Sequence, residues 1–270
     1  MKQQISSILV ALDSSSGSGK ILKPASELAH RAHAELKAVY VEDIEWFEAS
    51  KYEFTQLVSS YTGTVIPFSE KHITKHSRAL GSTLQNLFVS VSEQKKIKYS
   101  YHSSKGVVSK ELLDAALEAG LIIINRTSHI GIPKKKIIGG TARYLIENSI
   151  QPVLIWNDKL EWPRNVIGLC YNSMQGKEII EWTVYIGRLL DQKIRFLFPS
   201  EESLATIEQS NKDKWLLSGE ELRNFSEFYS EITLELLGKY KDTLFIVRRS
   251  ELMQDPADLL SKLLNPVLFI

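Results

Sequence analysis

Some stretches of this sequence bring together residue types that could do chemistry. One is Asp13-Ser14-Ser15-Ser16-Gly17-Ser18-Gly19-Lys20, a carboxylate, small polar residues and a lysine directly after the apolar run Ile8 to Leu12. A glycine-bearing turn of this kind can wrap an anion with backbone N–H groups. Its letters stop short of a P-loop: Ser14 stands where the first glycine belongs, and Ile21 where a magnesium-binding hydroxyl would stand. Lys20 then reads as a solvated lysine at a helix start. Another stretch runs from Gly131 through Lys134, Lys135 and Lys136 to Gly139-Gly140-Thr141, ahead of a helix from Ala142 to Asn148. The N–H groups left free at a helix start, at the positive end of its dipole, suit an anion. The plain alternative is a glycine turn between strand and helix, with the lysines a solvated run. His72 and His76 lie four apart on an expected helix and could share a metal, but no carboxylate sits between them in the His-Glu-x-x-His manner. No set of nucleophile, base and orienting group emerges, which weakens any catalytic reading.

The elements that must position these residues follow from hydrophobic periodicity. Ile8 to Leu12, Leu36 to Val41, Leu121 to Ile124 and Val153 to Ile155 are apolar runs of strand length, as expected of strands buried on both faces of a parallel sheet. Between the first two, Ile21, Leu22, Ala25, Leu28, Ala29 and Ala32 fall at helical spacing, so the chain opens with a β-α-β unit. Pro24 belongs in an early turn or at a kink. From Glu42 to about Phe68 the periodicity is poor, and Trp46, Phe47, Tyr52, Phe54 and Tyr61 read as aromatics in a lid-like excursion. Further elements expected are a helix over 69–94, a strand over 96–102 and a helix over 109–118. Asp13 thus lies at the carboxyl end of the first strand, where an open parallel sheet holds its ligands.

A chain of 270 residues with 43% hydrophobic content fits two domains better than one. A net charge of +1 offers no global attraction to nucleic acid or anionic lipid, so neither is expected as a partner. The single cysteine, Cys170, lies in an apolar run and reads as a buried small hydrophobe. No apolar run follows Met1-Lys2-Gln3-Gln4 or reaches the roughly 20 residues of a membrane helix, so a cytoplasmic protein without a membrane span is the expectation.

After Trp156 the polar segment Asn157 to Pro163 reads as a linker, and then the pattern restarts. Val166 to Cys170 matches Ile8 to Leu12 at a shift of 158 positions (166 minus 8), Thr243 to Val247 matches the run at Leu121, and Asn265-Pro266-Val267-Leu268 matches Gln151-Pro152-Val153-Leu154. The second copy has Tyr171 in the place of Asp13, and no glycine between Val247 and Pro266. Residues 1–157 and 164–270 are therefore read as two domains, the second degenerate and structural.

The run ILVALDSS, the helix, LKAVYV, the turn at Gly106-Val107-Val108, LIIIN, the loop ending Gly140-Thr141 and QPVLIW together resemble a universal stress protein domain, and the chain resembles a tandem of two. The resemblance implies an α/β fold of the adenine nucleotide alpha hydrolase-like, Rossmann-type class, with open parallel sheets flanked by helices. It also implies pairing through the last strand of each half, here an intramolecular pseudo-dimer in which the strands near Val153 and Val267 meet. Some members of that family bind ATP through Gly-x-x-Gly, nine residues, Gly-Ser/Thr. By position, Asp13 corresponds to the residue at the adenosine, Val41 to the backbone position at the base, and Gly140, Thr141 and Ala142 to the phosphate end. Thr127 and Ile130 stand where the pattern has its two glycines, with Gly131 one place late. Glycine matters there because a bare backbone can approach sugar and phosphate closely and adopt positive φ. The resemblance implies a stress-responsive regulator that binds ATP or another adenine nucleotide in its first half and acts on an unknown protein partner. The alternative is an interaction scaffold of the same fold that binds no nucleotide; a third reading, a weak ATP hydrolase, lacks a catalytic group.

Overall fold

The structure is a computed structural model that describes residues 4–12, 18–52, 55–58, 63–126, 138–157, 162–171, 176–210, 217–251, 259–260 and 263–270. The N-terminal half runs β1 (Ser7–Leu12), α1 (Ser18–Ala32), β2 (Glu35–Asp43), α2 (Ile44–Ala49), β3 (Gln56–Val58), β4 (Val65–Pro67), α3 (Glu70–Gln94) and β5 (Tyr99–Gly106). It continues with α4 (Val108–Ala116), β6 (Leu121–Asn125), α5 (Gly140–Asn148) and β7 (Val153–Trp156). The C-terminal half runs β8 (Asn165–Leu169), α6 (Gly176–Leu190), β9 (Lys193–Phe198), α7 (Glu201–Ser210), α8 (Gly219–Asn224), β10 (Ser226–Phe228), α9 (Leu234–Leu237), β11 (Thr243–Val247) and β12 (Val267–Phe269).

Ten of these strands form one sheet in the order β10-β9-β8-β11-β12-β7-β6-β1-β2-β5. Each five-strand half is parallel, and the halves have the same strand order. They meet where β12 runs antiparallel to β7, with Val267 opposite Ile155, Leu268 opposite Leu154 and Phe269 opposite Val153. The pairing expected of the two proline-led strands is thus present. An antiparallel joint sends the carboxyl ends of the two sets of parallel strands to opposite edges of the sheet.

Alternation along the strands divides the core. Ile8, Val10, Leu12, Ile123, Leu154 and Leu268 face the side covered by α1, α3 and α6, whereas Leu9, Ala11, Ile122, Ile124, Val153 and Phe269 face the side covered by α4 and α5. Burial on both faces is why these strands read as unbroken apolar runs. Pro24 is accommodated inside α1, which continues as one helix to Ala32.

Three expected boundaries move. The excursion after β2 is not plain loop, because Asp43 caps α2 by accepting the Glu45 N–H at 2.9 Å, and β3 and β4 form a small antiparallel hairpin. Alternation is too short there, at three residues per strand, to register as a period. The strand expected over 96–102 begins only at Tyr99 and runs to Gly106. Lys96, at φ 54°, ends the α3 turn in the left-handed region, and its N–H returns to the Glu93 carbonyl. The helix expected over 109–118 covers Val108–Ala116 instead.

One ionic contact ties α1 to the end of α3. Glu27 accepts from Lys95 at 2.5 Å and from Arg31 at 2.7 Å, and these bonds, Lys95 first, hold its carboxyl at about 2, well below the ordinary 4.5. A carboxylate with a depressed folded-state pKa contributes stability that is fully present above its unfolded value and is lost as pH falls through the folded one. Stability is therefore expected to decline between about 4.5 and about 2 partly through Glu27. Urea melts across that window should show a shallower decline in Glu27→Gln than in the wild type, and identical slopes would refute the assignment.

Candidate functional site

In the N-terminal half, the connection from β1 leads to β2 on one side, while β6 and β7 lie on the other. The crevice outside the carboxyl ends of β1 and β6 is therefore a topological switch point, where open parallel sheets place ligands. Both candidate loops, after β1 and after β6, emerge at this edge.

Val41 lies near the end of β2, one residue past the last β1–β2 register pair, Leu12 with Tyr40. Its side chain is buried in the core on the α4–α5 side, so only its backbone is suited to meet a ligand. Gly140, Thr141 and Ala142 form the first turn of α5. Gly139 is the N-cap residue and offers no side chain to cap the helix, as at α4, where Val107 makes no cap bond, and in contrast to α2, α3, α8 and α9, which Asp43, Ser69, Ser218 and Thr233 cap. Among the described residues, a methyl group placed on Gly140 would meet no atom within 4 Å. Thr141 is half-buried, and Ala142 packs into the core and anchors the turn. The structure thus sets Val41 and the α5 start at the same edge. Asp13, Thr127, Ile130 and Gly131 lie outside the described residues, as do Lys134, Lys135 and Lys136.

The other expected constellations resolve simply. His72 and His76 are exposed on α3, and the His72 Nδ1 lies 2.7 Å from the Ser69 hydroxyl, at the helix cap. Among the described residues no three His, Cys, Asp or Glu side chains come together as metal ligands, and no helix is long and apolar enough to cross a membrane. Cys170 is fully buried. Tyr171, in the place of Asp13, packs against the core of the second half.

Sequence reasoning missed Arg126. It follows β6 directly, and its backbone carbonyl accepts the Gly139 N–H at 2.9 Å, bringing the two ends of the second candidate loop together. Its side chain is 4% exposed and donates from Nη1 to the Leu263 carbonyl of the other half. Burial pushes its pKa down. Arg249, beyond β11, does the reciprocal: it is half-buried and donates to the Ser149 and Gln151 carbonyls ahead of β7. An arginine after a strand has no periodic signature that would have singled out either.

The model of the universal stress protein family matches residues 5–156, more than half of the chain. The chain belongs to the universal stress protein family. A universal stress protein from Archaeoglobus fulgidus DSM 4304 has a similar structure, with a TM-score of 0.67, 12% identity, and coverage of 97% of this chain and 95% of that one. A functionally unknown protein from Pseudomonas aeruginosa PAO1 is also similar, with a TM-score of 0.63, 16% identity, and coverage of 100% and 93%. At such identities the likeness is one of fold, and it extends over both halves of this universal stress protein. No curated protein matches the chain.

Proposed function

We propose that this universal stress protein is a nucleotide-binding regulator whose N-terminal domain, residues 1–157, holds ATP or a related adenine nucleotide at the switch-point crevice. The observation that carries the reading is the start of α5 at Gly139, which has no side chain to cap it, with no described atom within 4 Å of a Cβ on Gly140, at the edge where Val41 follows the last β1–β2 register pair. The N–H groups of Gly140, Thr141 and Ala142 suit phosphate oxygens, and the dipole of a nine-residue helix adds to the attraction. Base and ribose would lie by Val41 and Asp13, the carboxylate accepting hydrogen bonds from ribose or base. Lys134 to Lys136 would add only a screened attraction. The reading needs no catalytic group.

Residues 164–270 form, in this reading, a second domain of the same descent that has become structural, with Tyr171 packed where an acceptor would be needed. The two domains make an intramolecular pseudo-dimer through β7 and β12. Nucleotide in the first domain would change the surface offered to a protein partner.

Ile130 favours the second reading, a scaffold that binds no nucleotide, because an isoleucine side chain at this position of the pattern would narrow an approach that glycine leaves open. Calorimetry with ATP on wild type, Asp13→Ala and Ile130→Gly separates the two. Binding that weakens by about tenfold or more in Asp13→Ala and tightens in Ile130→Gly is expected. Absence of binding in all of them, Ile130→Gly included, would leave the scaffold.

A further inference from the structure

Arg126 makes two connections that bear on the same helix start. Its carbonyl receives the Gly139 N–H, which fixes where α5 begins, and its guanidinium crosses to the Leu263 carbonyl, 137 positions away in sequence. The loop that carries Leu263 is held again by the Asn157 side chain, which donates to the Leu264 carbonyl at 2.9 Å. The hydrogen-bond capacity of the guanidinium is not exhausted, since Nη2 is buried and bonds to nothing among the described residues. Desolvation lowers its pKa, and among the described residues no opposing charge offsets it. A buried cation with a bare donor costs free energy unless something offsets it.

Arg249 is the natural comparison. Ser149 precedes Pro152 by the same number of residues as Leu263 precedes Pro266, so each half sends one guanidinium to the loop ahead of the other's central strand. Arg249 also has a buried guanidinium nitrogen, Nε, that bonds to nothing among the described residues; it differs in having Glu178 as an opposing charge, and in lying at the other edge of the sheet, away from α5's start.

We infer that Arg126 is a positioning residue through which the C-terminal half governs phosphate affinity in the N-terminal half: held by Leu263, it sets the start of α5. The inference deepens the nucleotide reading and rests on it. Arg249 serves as the purely structural counterpart. The C-terminal half would then be an active determinant of the site, although it supplies no ligand to it.

The test uses the full-length protein with ATP and adenosine as probes, in calorimetry on wild type, Arg126→Gln and Arg249→Gln. Arg126→Gln should weaken ATP about tenfold and leave adenosine unchanged, whereas Arg249→Gln should leave both unchanged. Loss of joint stability alone would move both variants alike. Unaltered ATP affinity in Arg126→Gln, an equal loss for adenosine, or an equal loss in Arg249→Gln would overturn the inference. Amide exchange over residues 138–145 without ligand provides the separate check. It should quicken in Arg126→Gln and not in Arg249→Gln; equal rates in Arg126→Gln and wild type would end the inference even if ATP binds. Wild type that binds neither probe would instead end the nucleotide reading, while exchange still decides whether Arg126 holds α5. Should the glutamine variants fail to fold, Arg126→Met and Arg249→Met, which remove the donor and keep the apolar stem, decide in the same way.

Discussion

Replacing Leu268 with aspartate is expected to lower the unfolding free energy by about 4 kcal/mol or more, the sum of a lost core side chain and a buried polar group without a partner. Leu268 is 1% exposed and faces Leu154, itself 3% exposed, across the antiparallel joint. Both belong to the core that also holds Val10, Ile123, Trp156 and Leu244, so the residue is packed by strands of both halves. Its neighbours Val267 and Phe269 fill the opposite core, which leaves the new carboxylate no route to solvent by a simple rotation of the strand. Leu154→Asp should cost a similar amount, and the double variant less than the sum, because the two residues share one contact. Urea denaturation measures all three. A loss below about 1 kcal/mol for Leu268→Asp, the level of an ordinary surface change, would show that the joint is not a core.

The second large effect concerns two glycines that look alike in the sequence and behave differently. A Cβ on Gly168 would lie 2.5 Å from the Thr183 Oγ1, 2.9 Å from the Ile179 Cγ2 and 3.1 Å from the Phe196 Cδ1. The methyl group is therefore excluded by α6 packed on β8, and Gly168→Ala should cost about 3 kcal/mol through overpacking. Adding Thr183→Ala, which removes the nearest atom, should recover part of that loss. Gly140→Ala should do the opposite. No atom of the described residues stands within 4 Å of its Cβ position, and alanine is the better helix former, so stability should be unchanged or rise by up to about 1 kcal/mol. Paired thermal melts of these variants check the contrast. Equal destabilisation at the two positions would mean that Gly140 is needed by the fold, which would remove it as support for a ligand.

Much of the architecture was legible in the residues. ILVAL, LIIIN, VLIW and TLFIV announce strands buried on both faces because each is short, unbroken and bounded by turn residues, and the structure has a strand at each of them. The proline that leads each half's last strand marked the pair that forms the joint. Pattern failed where burial is partial or the element very short. The hairpin of β3 and β4 has exposed Val58 and Val65 facing each other, so no alternation of apolar and polar residues betrays it. The strand over Tyr99–Gly106, at the edge of the sheet and half-exposed, was displaced by the apolar Ile97, which belongs to the turn before it.

What the sequence determined by itself, then, is the local material: where most of the strands and helices lie, the family to which their order belongs, and the glycines at the start of α5. These are consequences of side-chain period and backbone freedom, which are properties of neighbours in the chain. The tertiary structure alone decided which residues are held across the joint. Arg126 reaches Leu263 over 137 positions and Arg249 reaches Ser149 over 100, and Gly168 is indispensable only because α6 lies against it. A contact between distant segments leaves no period in either segment. It depends on the sheet bringing the carboxyl end of β6 beside the loop before β12, and that juxtaposition exists only once the antiparallel joint has formed.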